Sequence, residues 1–239
     1  MLFRSGGAGN DTLVGGAGQN FIYGGAGDDL IIGGSGANFL YGEAGNNTIF
    51  GGSGNNTIVG GAGANVMVGG SGNLQILDGF GTGDVFYGGG VGAAGSNTMA
   101  EFGPGGATFY GGGAGTNTIT GGSGADLIYG GGTGVNYITG GAGNDNIFAH
   151  ALGANSTSFI YEGVGAGSDV INDFRAGNAA NHDTLVITAA GSNIKSFADV
   201  QSKAFLSGAF TVLSLSASDN VFLANVAPGQ LTAADFIFT

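Results

Sequence analysis

Residues 6–14 read GGAGNDTLV, residues 24–32 GGAGDDLII and residues 51–59 GGSGNNTIV. Each is a nine-residue block of the form Gly-Gly-small-Gly-x-Asp/Asn-x-apolar-x. In this register blocks begin at Gly6, Gly15, Gly24, Gly33, Gly42, Gly51, Gly60 and Gly69, with Glu43 the one departure from the second glycine. After Leu77 the period loosens into blocks of nine, ten or thirteen residues. Among them are GGGVGAAGSNTMA at 88–100, GGSGADLIY at 121–129 and GGAGNDNIF at 140–148, and EGVGAGSDVI at 162–171 closes the series. Self-similarity at a fixed period is the signature of an architecture in which each unit buries its apolar side only against its neighbours.

The glycine half of the block supplies a tight turn with positive φ and close backbone approach. The residues after it form a short strand whose middle side chain points inward. The inward series is Leu13, Ile22, Ile31, Leu40, Ile49, Ile58, Met67, Ile76, Phe86, Met99, Phe109, Ile119, Ile128, Ile138 and Ile147. Two strands and two turns close a coil of eighteen residues, and coils stacked at the ~4.8 Å strand spacing make a roll roughly 40 Å long. The fold class expected is all-β: a parallel β-roll, or β-solenoid, of about nine turns over residues 1–171, followed by a small C-terminal cap at 172–239.

The composition agrees. Of 239 residues 56 are Gly, 42% are hydrophobic and only 8% are charged, with two Pro and neither Cys nor Trp. Glycine does not recur strictly every third residue, which excludes collagen, and the apolar fraction leaves too much surface to bury for simple disorder. Sixteen acidic residues against four basic ones (Arg4, Arg175, Lys195, Lys203) give a net charge of −12. That disfavours nucleic acid and favours cations as partners. The lack of Cys removes disulfides and thiolate metal sites and leaves the redox compartment open. Residues 1–5, MLFRS, enter the repeats without an apolar leader core, and no apolar run approaches the ~18 residues of a membrane helix.

The nonapeptide resembles that of the RTX (repeats-in-toxin) calcium-binding β-roll proteins, G-G-x-G-x-D-x-U-x with U a large apolar residue, over about residues 6–171. The resemblance implies Ca2+ held between turns stacked on one edge, by the sixth-position Asp and backbone carbonyls, a donor set that suits a hard cation. The sixth position is Asp at Asp11, Asp29, Asp84, Asp126, Asp145 and Asp169, and Asn at Asn20, Asn38, Asn47, Asn56, Asn65, Asn97, Asn117 and Asn136, with Leu74 and Ala107 in two others. If successive repeats alternate edges, every repeat Asp falls on one edge, together with Asn47, Asn65 and Ala107. Asn20, Asn38, Asn56, Leu74, Asn97, Asn117, Asn136 and Ser158 occupy the other. An amide is neutral and offers one good oxygen, whereas stacked amides can bond along a ladder, so the second edge is expected to be metal-free. The expected metal ligands are the six Asp, with calcium between Asp11 and Asp29, Asp126 and Asp145, and Asp145 and Asp169. The competing reading is that these Asp only cap turns.

Outward positions carry a second message. On the Asp-edge strands the ninth residues are Val14, Ile32, Phe50, Val68, Tyr87, Tyr110, Tyr129 and Phe148. One outer face is therefore expected to be apolar along its length, and such a patch marks an interface unless it serves cross-strand packing alone. A homo-oligomer or filament assembled through these faces is expected.

From Asp169 the chain reads DVINDFRAGNAANHDTLVI. Its Asp169, Ile171, Asp173, Phe174, Gly177, Asp183 and Leu185 resemble the segment that ends the roll in secreted serralysin-type RTX proteins. An insertion at 178–182 lengthens the spacing, which leaves Asp173 and Asp183 as turn caps rather than ligands. SFADVQSKAFL at 196–206 reads as a short helix, with strands expected at 210–216 and 220–224. Leu231–Thr239 resembles the uncleaved C-terminal signals of type I secretion substrates, implying that machinery as a partner and a secreted, extracellular or cell-surface location. No HExxH, G-x-S-x-G or Cys–His constellation is present, and His150 and His182 read as loop residues, so no enzyme is expected. Because the repeats start almost at Met1, the expected role is a secreted calcium-binding structural protein of a filament, surface layer or biofilm matrix. The alternative is a C-terminal export and folding module of a larger secreted enzyme or toxin.

Overall fold

A computed structural model describes residues 1–78, 81–89, 95–150, 157–163 and 165–239, with backbone alone for 74–78. The chain winds alternately through two sheets. Among the described residues the first holds eleven strands, from Leu2–Ala8, Asn20–Ala26 and Asn38–Ala44 through Thr157–Glu162 to Thr184–Ile187 and Phe236–Phe238. The second holds twelve, from Thr12–Gly16 and Leu30–Gly34 through Ser168–Asn172 to Asn220–Ala224, then Phe210–Ser214 and Phe205–Ser207. Along the roll each strand pairs in parallel with the strand two further on, as Phe21 with Phe39 and Ile22 with Leu40. The fold is the all-β parallel β-solenoid that the nonapeptide period requires.

The longer repeats do not change the parity. Asn97 pairs with Asn117, Asn136 with Ser158, and Val85 with Thr108, so the extra residues lie between strands and the strand register is kept. The inward series forms one continuous core. Ile22, Ile31, Leu40, Ile49, Ile58, Met67, Phe86, Met99, Phe109, Ile128, Ile138 and Ile147 are all fully buried, while the side chain of Ile76 lies outside the described residues. Ile160, Ile171, Leu185 and Ile187 prolong this column into the last coils.

The C-terminal part closes the roll by extending both sheets. Asn220–Ala224 adds in parallel to Ser168–Asn172, and two antiparallel strands follow it. The final strand, Phe236–Phe238, pairs with Thr184–Ile187 in the first sheet. The helix is Phe197–Lys203, N-capped by Ser196, whose hydroxyl accepts from the Asp199 N–H. Among the described residues no helix is long and apolar enough to cross a membrane.

Turn geometry explains the second glycine of the block. Gly34 has φ +106°, and a Cβ there would lie 2.0 Å from the Gly16 carbonyl oxygen in the coil before. Glu43 holds the same position at φ +70°, where an L side chain is disfavoured by roughly 1–2 kcal/mol. Glu43→Gly is therefore expected to stabilise the roll by about 1 kcal/mol, read as a higher denaturant midpoint at unchanged slope.

Candidate metal centre

The sixth-position residues line the two edges of the roll, where the chain passes from one sheet to the other. On one edge each backbone N–H donates to the side-chain Oδ1 of the residue one coil on. The bonds run from Asp11 to Asp29 (2.8 Å), Asp29 to Asn47 (2.9 Å), Asn47 to Asn65 (2.9 Å) and Asn65 to Asp84 (2.6 Å). Beyond Ala107 they continue from Ala107 to Asp126 (2.6 Å), Asp126 to Asp145 (2.8 Å) and Asp145 to Asp169 (2.7 Å). All six expected Asp thus share one edge. Asp11–Asp29, Asp126–Asp145 and Asp145–Asp169 are direct neighbours in it. Asp84 has no Asp neighbour, lying between Asn65 and Ala107.

From Asp29 onward Oδ1 is satisfied by this ladder, and Oδ2 is not. The Oδ2 atoms of Asp11, Asp29, Asp84, Asp126, Asp145 and Asp169 are buried without a hydrogen-bond partner. Two Asn on the same edge show what that locus demands. Asn47 Nδ2 donates to the Gly45 carbonyl (3.2 Å), and Asn65 Nδ2 to those of Gly61 and Gly63. A carboxylate oxygen in place of that N–H turns lone pairs toward carbonyl oxygens. Burying such an arrangement is costly unless a proton or a cation lies between. The space is kept open by the first glycine of the block: a Cβ on Gly24, Gly121 or Gly140 would lie 2.3, 2.3 or 2.1 Å from Oδ2 of Asp29, Asp126 or Asp145. Carboxylate and carbonyl oxygens around a shielded space are the donor set of a hard divalent cation. Among the described residues no three His, Asp or Glu side chains converge on one point, so main-chain oxygens must complete any coordination shell.

The opposite edge satisfies itself. Asn20 Nδ2 donates to Asn38 Oδ1 (2.7 Å) and Asn38 Nδ2 to Asn56 Oδ1 (2.9 Å), each also donating to glycine carbonyls. Asn97, Asn117 and Asn136 repeat the pattern, and Asn136 reaches Ser158 Oγ. Carbonyls here already receive N–H groups, so nothing in the row calls for a metal.

Electrostatics separates the two rows further. Burial, reinforced by the charges of Asp145 and Asp169, raises Asp126 from 3.8 to about 7, and burial with the charge of Asp169 raises Asp145 to about 7. Burial likewise raises Asp84 and Asp169, and it pushes Glu162 well above the usual carboxylate range with help from Asp169.

The sequence model of the RTX calcium-binding nonapeptide repeat matches the chain four times, at residues 5–40, 41–73, 111–145 and 131–151. Residues 5–73 and 111–151 thus carry RTX calcium-binding nonapeptide repeats. No curated protein matches it. Among solved structures, the crystal structure of the extracellular lipase LipA from Serratia marcescens is similar over 96% of this chain at 16% identity, with a TM-score of 0.34. This chain spans 40% of that one.

Three buried side chains of the RTX roll escaped the sequence reading. His150, read as a loop residue, is 3% exposed, and its Nε2 lies 2.9 Å from Asp183 Oδ1. Burial lowers the imidazole, but the carboxylates of Asp173 and Asp183 outweigh it and hold His150 at about 9. Asp173 and Asp183 act as caps: Asp173 Oδ1 accepts the Ala149 N–H, and Asp183 accepts those of Ser158 and Arg175. Glu101 and Glu162, which carried no role in the repeat pattern, are 1% and 4% exposed on the Asp edge. Their signal was available: each replaces the glycine whose Cβ would meet an Asp.

Asp126 and Asp145 titrate at about 7 in the folded roll against 3.8 as the ordinary value, so the folded state holds their protons more tightly. Their contribution to stability is present below about pH 4 and is lost as the pH rises through about 7. In chelator the roll is expected to melt at a lower temperature at pH 8 than at pH 5, and added calcium to raise the pH 8 value. Asp126→Asn places an N–H where Asn47 has one. It is expected to raise the melting temperature in chelator and to reduce the further rise on adding calcium, both measured by thermal circular dichroism.

Proposed function

We propose that the protein is a secreted structural β-roll that folds on calcium and assembles through its outer faces into an extracellular filament, surface layer or biofilm matrix. The observation that carries the calcium part is the row of six buried Asp Oδ2 atoms without a hydrogen-bond partner. Asp11, Asp29, Asp84, Asp126, Asp145 and Asp169 would hold Ca2+ together with glycine carbonyls, and the bound ion supplies the positive charge that the fold otherwise lacks. Where free calcium is low, carboxylate repulsion and glycine's chain entropy keep the segment unfolded; where calcium is abundant, metal binding and folding proceed together.

Assembly is supported by the outer faces. Val14, Phe50 and Tyr87 are exposed at 46%, 40% and 41% along one sheet. Tyr87, Tyr110, Tyr129 and Phe148 stack in a continuous column with ring centroids 4.8–5.0 Å apart. The other sheet presents Tyr23 over Tyr41 and Phe21 over Phe39, both at 4.8 Å. Aromatic columns satisfy each other along the roll and still leave an apolar flank to a second copy.

The division into a roll at 1–171 and a cap with an export address at 172–239 belongs to the same reading. In the unfolded chain Leu231–Thr239 is an accessible terminal segment. In the folded one Asp235 is buried, its Oδ1 accepting the Gly177 N–H (2.8 Å), and Phe236–Phe238 is part of a sheet. A signal that folding conceals fits a chain exported before it folds.

Electron microscopy of the protein with millimolar calcium and with chelator tests the assembly. Ordered filaments or sheets are expected with calcium alone; dispersed monomers at high protein concentration in calcium would overturn it.

A further inference from the structure

Glu101 and Glu162 stand where other coils place the first glycine of the block. The pairing of Thr139 with Tyr161 sets Glu162 over Gly140, and that of Ala100 with Thr120 sets Glu101 against Gly121. From those glycines a side chain leads straight to the Asp row, as the 2.1 Å approach of a Gly140 Cβ to Asp145 Oδ2 shows. Each Glu faces a particular Asp: Glu101 interacts with Asp84, and Glu162 with Asp169. These are the two Asp whose register neighbour one coil on is an apolar residue, Ala107 for Asp84 and Val221 for Asp169. At Ala107 a carboxylate missing from the sixth position is thus restored from the first, and Glu162 adds a second carboxylate to the block that carries Asp169.

Glu162 is 4% and Asp169 1% exposed, and Glu162 Oε1 and Asp169 Oδ2 both lack a hydrogen-bond partner. Two buried carboxyl groups facing one another need a proton or a cation between them. We propose that Glu162 and Asp169 form a further calcium site at the last coil of the repeats, in addition to those between consecutive repeat Asp. The site rests on the reading of the Asp edge as calcium-binding and extends it to a residue outside the nonapeptide motif. Its donors are two carboxylates from one coil, supplemented by main-chain oxygens, which again suits a hard cation.

Native mass spectrometry of the full chain at saturating calcium counts the bound ions. Glu162→Gln keeps the size of the side chain and removes its charge, and Glu162→Gly installs the residue that other coils carry at this register, so that a folded variant is at hand if the first does not fold. Both are expected to bind one calcium fewer than the unsubstituted chain, and Asp29→Asn, at the other end of the row, to lose at least one independently. If the Glu162 variants keep the full count while Asp29→Asn loses an ion, Glu162 merely shares a proton with Asp169 and the further site falls, the calcium edge remaining. If the unsubstituted chain binds no calcium, both readings fall.

Discussion

Stacking coils at the parallel-strand spacing forces each side chain to lie over its counterpart in the next coil, and the consequence depends on its chemistry. An isoleucine over an isoleucine packs, a tyrosine over a tyrosine stacks, and an asparagine over an asparagine gives a donor to an acceptor. An aspartate over an aspartate does none of these. The hydrophobic column and the amide row are self-complementary, while the carboxylate row opposes stacking unless a proton or a cation lies between its oxygens. Every distinctive property of this chain follows from placing the one stack that is not self-complementary on a single edge.

Much of this was legible in the residues because the repeat multiplies each signal. One inward isoleucine says little, but Leu13 through Ile147 at a steady spacing places the core, and the alternation of Asp and Asn places the edges. The register of Val85 with Thr108 shows why parity survived the irregular middle: insertions fall between strands and not within them, where a one-residue slip would turn Phe86 and Phe109 outward. What the sequence hid were unique contacts. His150 meets Asp183 across 33 positions of chain, and no period announces such a pair. The cap is similar: its helix and strands at 210–214 and 220–224 follow from local pattern. The return of Phe236–Phe238 to the first sheet is set by tertiary packing.

The faces and edges divide the labour. In the function proposed above, edge chemistry sets when the chain folds and face chemistry what the folded object touches. Tyr87, Tyr110, Tyr129 and Phe148 belong to the second sheet, which the carboxylate row feeds into. Ordering of that edge and ordering of the aromatic column are therefore one event, because each ring can stack only when the coil beneath it is in place.

The amide row also has a direction. Asn20 donates to Asn38 and Asn38 to Asn56; after Leu74, Asn97 donates to Asn117 and Asn117 to Asn136, always toward the C-terminal end. The leading oxygens, Asn20 Oδ1 and Asn97 Oδ1, receive nothing. Each run is thus a line of aligned dipoles, mutually polarised as chains of hydrogen bonds are. The positive end of the second run arrives at Ser158, whose own N–H is held by the Asp183 carboxylate. That carboxylate stands to the row as an acidic residue stands to the N-terminus of a helix, and the solenoid acquires an electrical polarity along its axis that its symmetric-looking coils conceal.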